Sequence, residues 1–161
     1  MSELKPAPRR VQEAADRLGL AVCVVEMAQS TRTAEEAAAA CGCDVAQIIK
    51  SLVFKGKQSG RPLLLLVSGA NRVDQKGVAA SIGEALDRPD AAFVRDVTGF
   101  AIGGIPPFGH AQPLPTWIDR DLLTYPTVWA AAGSSEAVFE VDPRRLAEVV
   151  GATVIGVVGS G

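Results

Sequence analysis

Apolar positions recur at helical spacing early in the chain. Val11, Ala14, Ala15 and Leu18 fall on one face of residues 9–18, and Gly19 can end the helix they predict. Residues 20–25 form an apolar run of strand length. Thr33 opens a second helix with a capping box, in which its hydroxyl takes the Glu36 amide and Glu36 reaches back. Ala37 to Ala40 propagate that helix, and Gly42 supplies a left-handed end. Asp44 and Gln47 repeat the capping pattern for one short turn.

Two strands, residues 50–57 and 62–68, flank a turn around Gly60 and predict a hairpin. Asp74 can cap a helix running to about Gly83, and residues 91–95 read as a short strand. Residues 99–115 hold too many Gly and Pro for a regular element. Strands are expected at 114–118, 127–131, 137–141 and 153–158. Asp142-Pro143 starts a helix ending at Gly151. Helices, hairpins and single strands thus alternate irregularly. The expected class is α+β: one domain over residues 1–161, with a mixed, largely antiparallel, barrel-like sheet and helices packed outside.

Composition narrows the partner more than the fold. The chain has 161 residues, 48% hydrophobic and 21% charged, which suits an ordinary globular protein with a core built mainly of Ala, Val, Leu and Ile. A formal net charge of -2 argues against a broad electrostatic grip on a nucleic-acid duplex, because backbone binding needs many cations on one face. Contact confined to one end of a nucleic acid remains compatible with it. Met1-Ser2-Glu3-Leu4-Lys5-Pro6 has no apolar core of a signal peptide, and the run Leu63 to Val67 is too short to span a bilayer. The expectation is a cytoplasmic protein without membrane contact. Cys23, Cys41 and Cys43 are too few for a disulfide framework and lack the paired spacing of a zinc site, so they read as packing, with no metal and no cofactor.

Two features stand out as chemistry. Lys50 lies in Ile48-Ile49-Lys50-Ser51-Leu52-Val53-Phe54, where alternation puts it on the face of Leu52 and Phe54, opposite Ser51 and Val53. A lysine whose tip reaches water at a strand end fits that pattern; so does a cation at a cleft edge facing a phosphate or a developing oxyanion. The second feature is Gly103-Gly104-Ile105-Pro106-Pro107-Phe108-Gly109-His110. Its glycines permit close approach of backbone to a ligand, its prolines stiffen the return, and N–H groups around Gly103 and Gly104 can form an oxyanion hole. His110, the single histidine, reads either as a hydrogen-bonded structural residue or as a proton-handling group. Ala132-Gly133-Ser134-Ser135 is a turn that could line a pocket beside the loop. No nucleophile elbow, P-loop or dinucleotide fingerprint occurs.

Taken in order, these segments resemble the YbaK/prolyl-tRNA-synthetase-associated family of editing domains. The likeness runs through Thr33-Ala34-Glu35-Glu36-Ala37-Ala38, the Lys50 segment, Val67-Ser68-Gly69-Ala70-Asn71, the Gly103 loop, and Ala132-Gly133-Ser134 through Leu146. The resemblance implies a free-standing hydrolase that deacylates mischarged tRNA, most often tRNA for proline carrying a small wrong amino acid. It implies no metal, and Lys50, Gly103, Gly104 and His110 as catalytic positions. Ser51, Val53, Ile105, Pro106, Gly133 and Ser134 would bind substrate. The partner would be the acceptor end of mischarged tRNA, with an aminoacyl-tRNA synthetase as a further candidate. The alternatives are a non-catalytic module that binds aminoacyl-tRNA or a synthetase through the same cleft, and a hydrolase of small esters unrelated to tRNA.

Overall fold

The structure, a computed structural model, describes residues 4–158; Met1, Ser2 and Glu3 of the N-terminal segment lie outside the described residues. The chain begins with α1 (Pro6–Arg17), β1 (Val25–Glu26), α2 (Ala34–Cys41) and a 3-10 turn at Val45–Gln47. The hairpin β2 (Ile49–Gly56) and β3 (Pro62–Ser68) follows, then α3 (Gln75–Ile82), β4 (Leu86–Asp87) and α4 (Ala91–Thr98). After the Gly/Pro loop come β5 (Thr116–Asp119), a 3-10 turn at Arg120–Thr124, β6 (Val128–Ala131), β7 (Ala137–Val141), α5 (Pro143–Val150) and β8 (Thr153–Ile155).

The least polar segment, β3, is explained by burial on both faces. Leu64 and Leu66 point into the larger core, with Val11 and Ala15 of α1, Val94 and Val97 of α4, and Leu146 of α5. Leu63, Leu65 and Val67 point the other way, into a smaller core closed by Val78 of α3 and by Leu86. β3 is the centre of a five-stranded sheet ordered β4-β2-β3-β5-β8, and a separate three-stranded sheet is ordered β1-β7-β6. Four of the strand pairings are antiparallel; β3–β5 and β5–β8 are parallel.

The α+β class, the mixed and largely antiparallel strands and the outer helices are therefore as expected. The strands form two sheets rather than one, and the sheets are not closed into a barrel. Among the described residues an isolated parallel bridge, Ile48 to Trp129, joins them. Its place matters, because it draws β6 alongside the start of β2.

Two local expectations fail for identifiable reasons. Residues 91–95 are helical: Asp90 accepts the Phe93 amide at 2.9 Å, Val94 and Val97 are buried at helical spacing, and Gly99 ends the helix in the left-handed region. Residues 20–24 join no ladder: the Val22 amide donates back to the Leu20 carbonyl at 3.0 Å, and two further backbone groups are taken by Gln12 of α1. Its Oε1 accepts the Val24 amide at 2.8 Å and its Nε2 donates to the Val22 carbonyl at 3.0 Å.

The capping box at Thr33 forms as the spacing predicts, with the Glu36 amide donating to Thr33 Oγ1 at 3.1 Å and the Thr33 amide donating to Glu36 Oε1 at 3.2 Å. Thr33→Ala is expected to cost about 1 kcal/mol. A thermal melt should show a fall of about 2–4 °C, and an unchanged midpoint would remove the cap from the account of α2.

Candidate functional site

Lys50 is the second residue of β2, paired across the hairpin with Val67. Its side chain is half-buried, and Nζ donates to the Asn71 carbonyl at 2.6 Å. Asn71 is itself fixed: its amide donates to Asp119 Oδ2 and to Asp121 Oδ2, each at 2.8 Å. Asp119 is 1% exposed and also accepts the Ser68 amide at 3.1 Å and the Asp121 amide at 2.9 Å. The ammonium is thus aimed by a rigid relay running back to the end of β5. Burial pushes the Lys50 pKa below that of a free lysine; Glu35 and Asp119 oppose the shift, and Arg72 and Arg88 add to it.

Lys50 borders a cavity of about 420 Å³, within the range of small-ligand sites. Ser51, Gly103 and Ile105 line the same cavity. Lys50 and the glycine loop, 53 positions apart in sequence, therefore share one wall system. The walls also include Thr31, Arg32, Glu35, Ile102, Trp129 and Val138, none of which the sequence singled out as a site residue. Thr31 and Arg32 lead into the capping box, a polar approach to a helix that could have marked a ligand-facing turn. Trp129 and Val138 gave no signal, since they read as ordinary strand residues.

The two glycines of the loop do different things. Gly103 has φ +99°, and a Cβ there would meet Arg32 Cγ at 3.1 Å and Nε at 3.3 Å, so the arginine stem lies across it. Among the described residues the Gly103 N–H has no backbone acceptor. Gly104, in contrast, donates to the Ala101 carbonyl at 3.1 Å and its carbonyl accepts the Gly133 amide at 2.8 Å. A Cβ on Gly104 would sit 2.7 Å from the Ser134 nitrogen. Gly104, Gly133 and Ser134 thus fasten the back of the loop to the β6–β7 turn, and they do not line the cavity.

Three other expected positions also lie away from it. Val53 is 7% exposed in the larger core, one turn of the pleat beyond Ser51. Pro106 is buried, and its carbonyl accepts a hydrogen bond from His110 Nε2 at 2.7 Å. His110 lines a second cavity of about 340 Å³, with Ala14, Leu18, Phe108, Leu114 and Val150. The path of the chain explains this: Phe108 packs on Phe139 with ring centroids 5.5 Å apart, and that anchor turns Gly109 and His110 toward α1. Burial pushes the Cys41 thiol up to about 11, which leaves it protonated and unreactive at neutral pH.

A carbonyl can only accept, so His110 Nε2 carries a hydrogen. Burial lowers the His110 pKa, with the Pro106 bond opposing. A folded pKa below the unfolded one means that the unfolded chain takes up its proton first as pH falls. Stability is then expected to be full above the ordinary imidazole value of about 6.5 and to decline as pH falls toward the lower folded value. His110→Gln retains a donor for Pro106 and should flatten the dependence of the thermal midpoint between about pH 7.5 and 5. Equal slopes in the two proteins would contradict the buried, neutral imidazole.

Residues 28–149 match the aminoacyl-tRNA editing domain family. A crystal structure described as a proposed trans-editing enzyme for prolyl tRNA synthetase is 47% identical, covers 98% of this chain and 100% of its own, and superposes with a TM-score of 0.92. The crystal structure of hypothetical protein APE2540 is 30% identical over 92% of this chain and 98% of its own, with a TM-score of 0.86. The uncharacterized protein YwhH of Bacillus subtilis (strain 168) is 32% identical over 125 residues, 78% of this chain and 79% of that protein.

Proposed function

Because this chain belongs to the aminoacyl-tRNA editing domain family, YbaK-like in kind, we propose that it is a trans-editing deacylase of mischarged tRNA, probing the acceptor end of tRNA for proline. The observation that carries this reading is the shared cavity of Lys50 and Gly103. Hydrolysis of an aminoacyl ester needs an electrostatic environment complementary to the tetrahedral intermediate more than it needs a protein nucleophile. In the proposed scheme water adds to the acyl carbon, the bond to the ribose oxygen breaks, and the proton returns to that oxygen. The products are free amino acid and tRNA.

The Lys50 ammonium and the Gly103 N–H, which has no acceptor among the described residues, are the donors for the developing oxyanion. Ile105 and Ser51 form the wall against the amino-acid side chain, and the cavity volume suits a small one. Gly104, Gly133 and Ser134 act behind the wall by holding the loop. His110 supports the same loop through Pro106. The editing unit spans residues 1–161 and works in the cytoplasm. Among the described residues no helix is long and apolar enough to cross a membrane.

A deacylation panel tests the reading. Several mischarged tRNAs are offered to the purified protein, and release of amino acid is followed beside the free aminoacyl esters. Faster release from charged tRNA for proline than from free esters is expected. Equal turnover of both would favour a small-ester hydrolase. Tight binding of charged tRNA without acceleration would favour the binding module.

A further inference from the structure

Among the described residues the buried hydroxyls are satisfied, with one exception. Thr31 Oγ1 donates to the Ser135 carbonyl at 3.0 Å, Ser68 Oγ to the Ala46 carbonyl at 2.7 Å, and Thr98 Oγ1 to the Val94 carbonyl at 2.7 Å. Ser51 Oγ is buried and, among the described residues, has no partner. An unpaired buried hydroxyl is unfavourable, and such an atom in a native structure calls for an explanation.

Its surroundings supply none. Across the hairpin Ser51 faces Leu66, which is fully buried, and its neighbours on the same strand face are Ile49 and Val53. The cavity wall beyond is made by Ile105 and Ala130. Thr31 and Thr33, the other hydroxyls of the cavity, are committed to Ser135 and to the capping box. Ser51, on the wall of the cavity, thus carries the one buried side-chain polar atom among the described residues that no internal partner satisfies.

We propose that Ser51 is a specificity-determining residue whose hydroxyl pairs with the side-chain hydroxyl of the bound aminoacyl group, so that the protein removes seryl and threonyl esters in preference to apolar ones of equal size. This rests on the deacylase reading and sharpens its substrate class. A site built around a polar partner discriminates against an analogue that lacks it, because the protein group is then left unpaired. A thiol is a weaker partner, which places cysteinyl esters between the hydroxyl amino acids and their apolar isosteres.

The test compares tRNA for proline charged with serine and with 2-aminobutyrate, which has the size of serine without its oxygen, using wild type and Ser51→Ala. Wild type is expected to favour the seryl ester in kcat/KM by on the order of tenfold or more, and Ser51→Ala to bring the ratio close to one. Both substrates slowed equally would mean that the hydroxyl holds the common α-ammonium or a water, and would overturn the proposal; so would an unchanged ratio. The non-cleavable 3′-seryl-amido and 3′-aminobutyryl-amido adenosines separate this idea from the deacylase reading. A Ser51-dependent preference in calorimetric binding supports the pocket even if wild type cleaves neither ester, and equal binding refutes it. Ser51→Ala should melt at the same temperature or higher, since it deletes an unpaired polar atom. A clear loss of stability would reveal an internal partner and would also count against the proposal.

Discussion

Lys50→Ala is expected to slow deacylation of mischarged tRNA by about 10²–10³-fold, the usual effect of deleting one donor to a developing oxyanion. The fold should survive, because the lysine is half-buried and its ammonium is already penalised by desolvation; what is lost is one bond to the Asn71 carbonyl. Thermal stability within about 1 kcal/mol of wild type is the corresponding expectation. Lys50→Arg should not restore the rate. The guanidinium is larger and planar, and it cannot place one compact charge where Nζ meets Asn71. The pH profile gives an independent check. With its pKa held below a free lysine's, Lys50 loses its charge earlier on the alkaline side. Enzymatic deacylation, corrected for spontaneous ester hydrolysis, should therefore decline at a pH below the ordinary lysine value of about 10.4. Full activity in Lys50→Ala, with the variant folded, would end the proposed mechanism.

Much of this site is legible in the sequence, because its parts lie on locally determined elements. Lys50 was conspicuous as a charge in an apolar strand, and the glycine loop as a stretch that no regular element can absorb. The capping box fixed where α2 begins, and that helix supplies Glu35 to the cavity. What the sequence could not carry was convergence. Trp129 and Val138 reach the cavity only because the Ile48–Trp129 bridge draws the small sheet against β2. His110 looked like part of the loop's chemistry, yet the packing of Phe108 on Phe139 sends it to another cavity. The roles of Gly103 and Gly104 are indistinguishable in sequence; the contact of Gly104 with Ser134 separates them. The helix α4 is ambiguous in sequence because its apolar residues over 91–95 satisfy a short strand as well, and the deciding residue, Asp90, lies one position before the run.

The relay behind Lys50 leads to the second large effect. Asp119 carries no substrate in the proposed scheme, but its carboxylate gathers the Ser68 amide, the Asn71 side chain and the Asp121 amide. Asp119→Ala leaves the buried Ser68 donor unpaired and takes one acceptor from the Asn71 side chain and one from the Asp121 amide, which should cost about 2–4 kcal/mol. It also removes one of the two carboxylates that hold the Asn71 side chain, and the carbonyl of that residue positions the ammonium, so activity should fall beyond what the unfolded fraction explains. Asp119→Asn separates charge from shape. It keeps one acceptor oxygen but removes the negative charge that supports the protonated Lys50. Without that charge the lysine pKa drops further, so the alkaline limb of the deacylation profile should move to lower pH, while Asp121→Asn, one step further out, should move it less. A destabilised Asp119→Asn whose alkaline limb coincides with that of wild type would show that Asp119 supports the fold alone. A shifted limb at nearly native stability would show that the end of β5 tunes the charge at the mouth of the cavity.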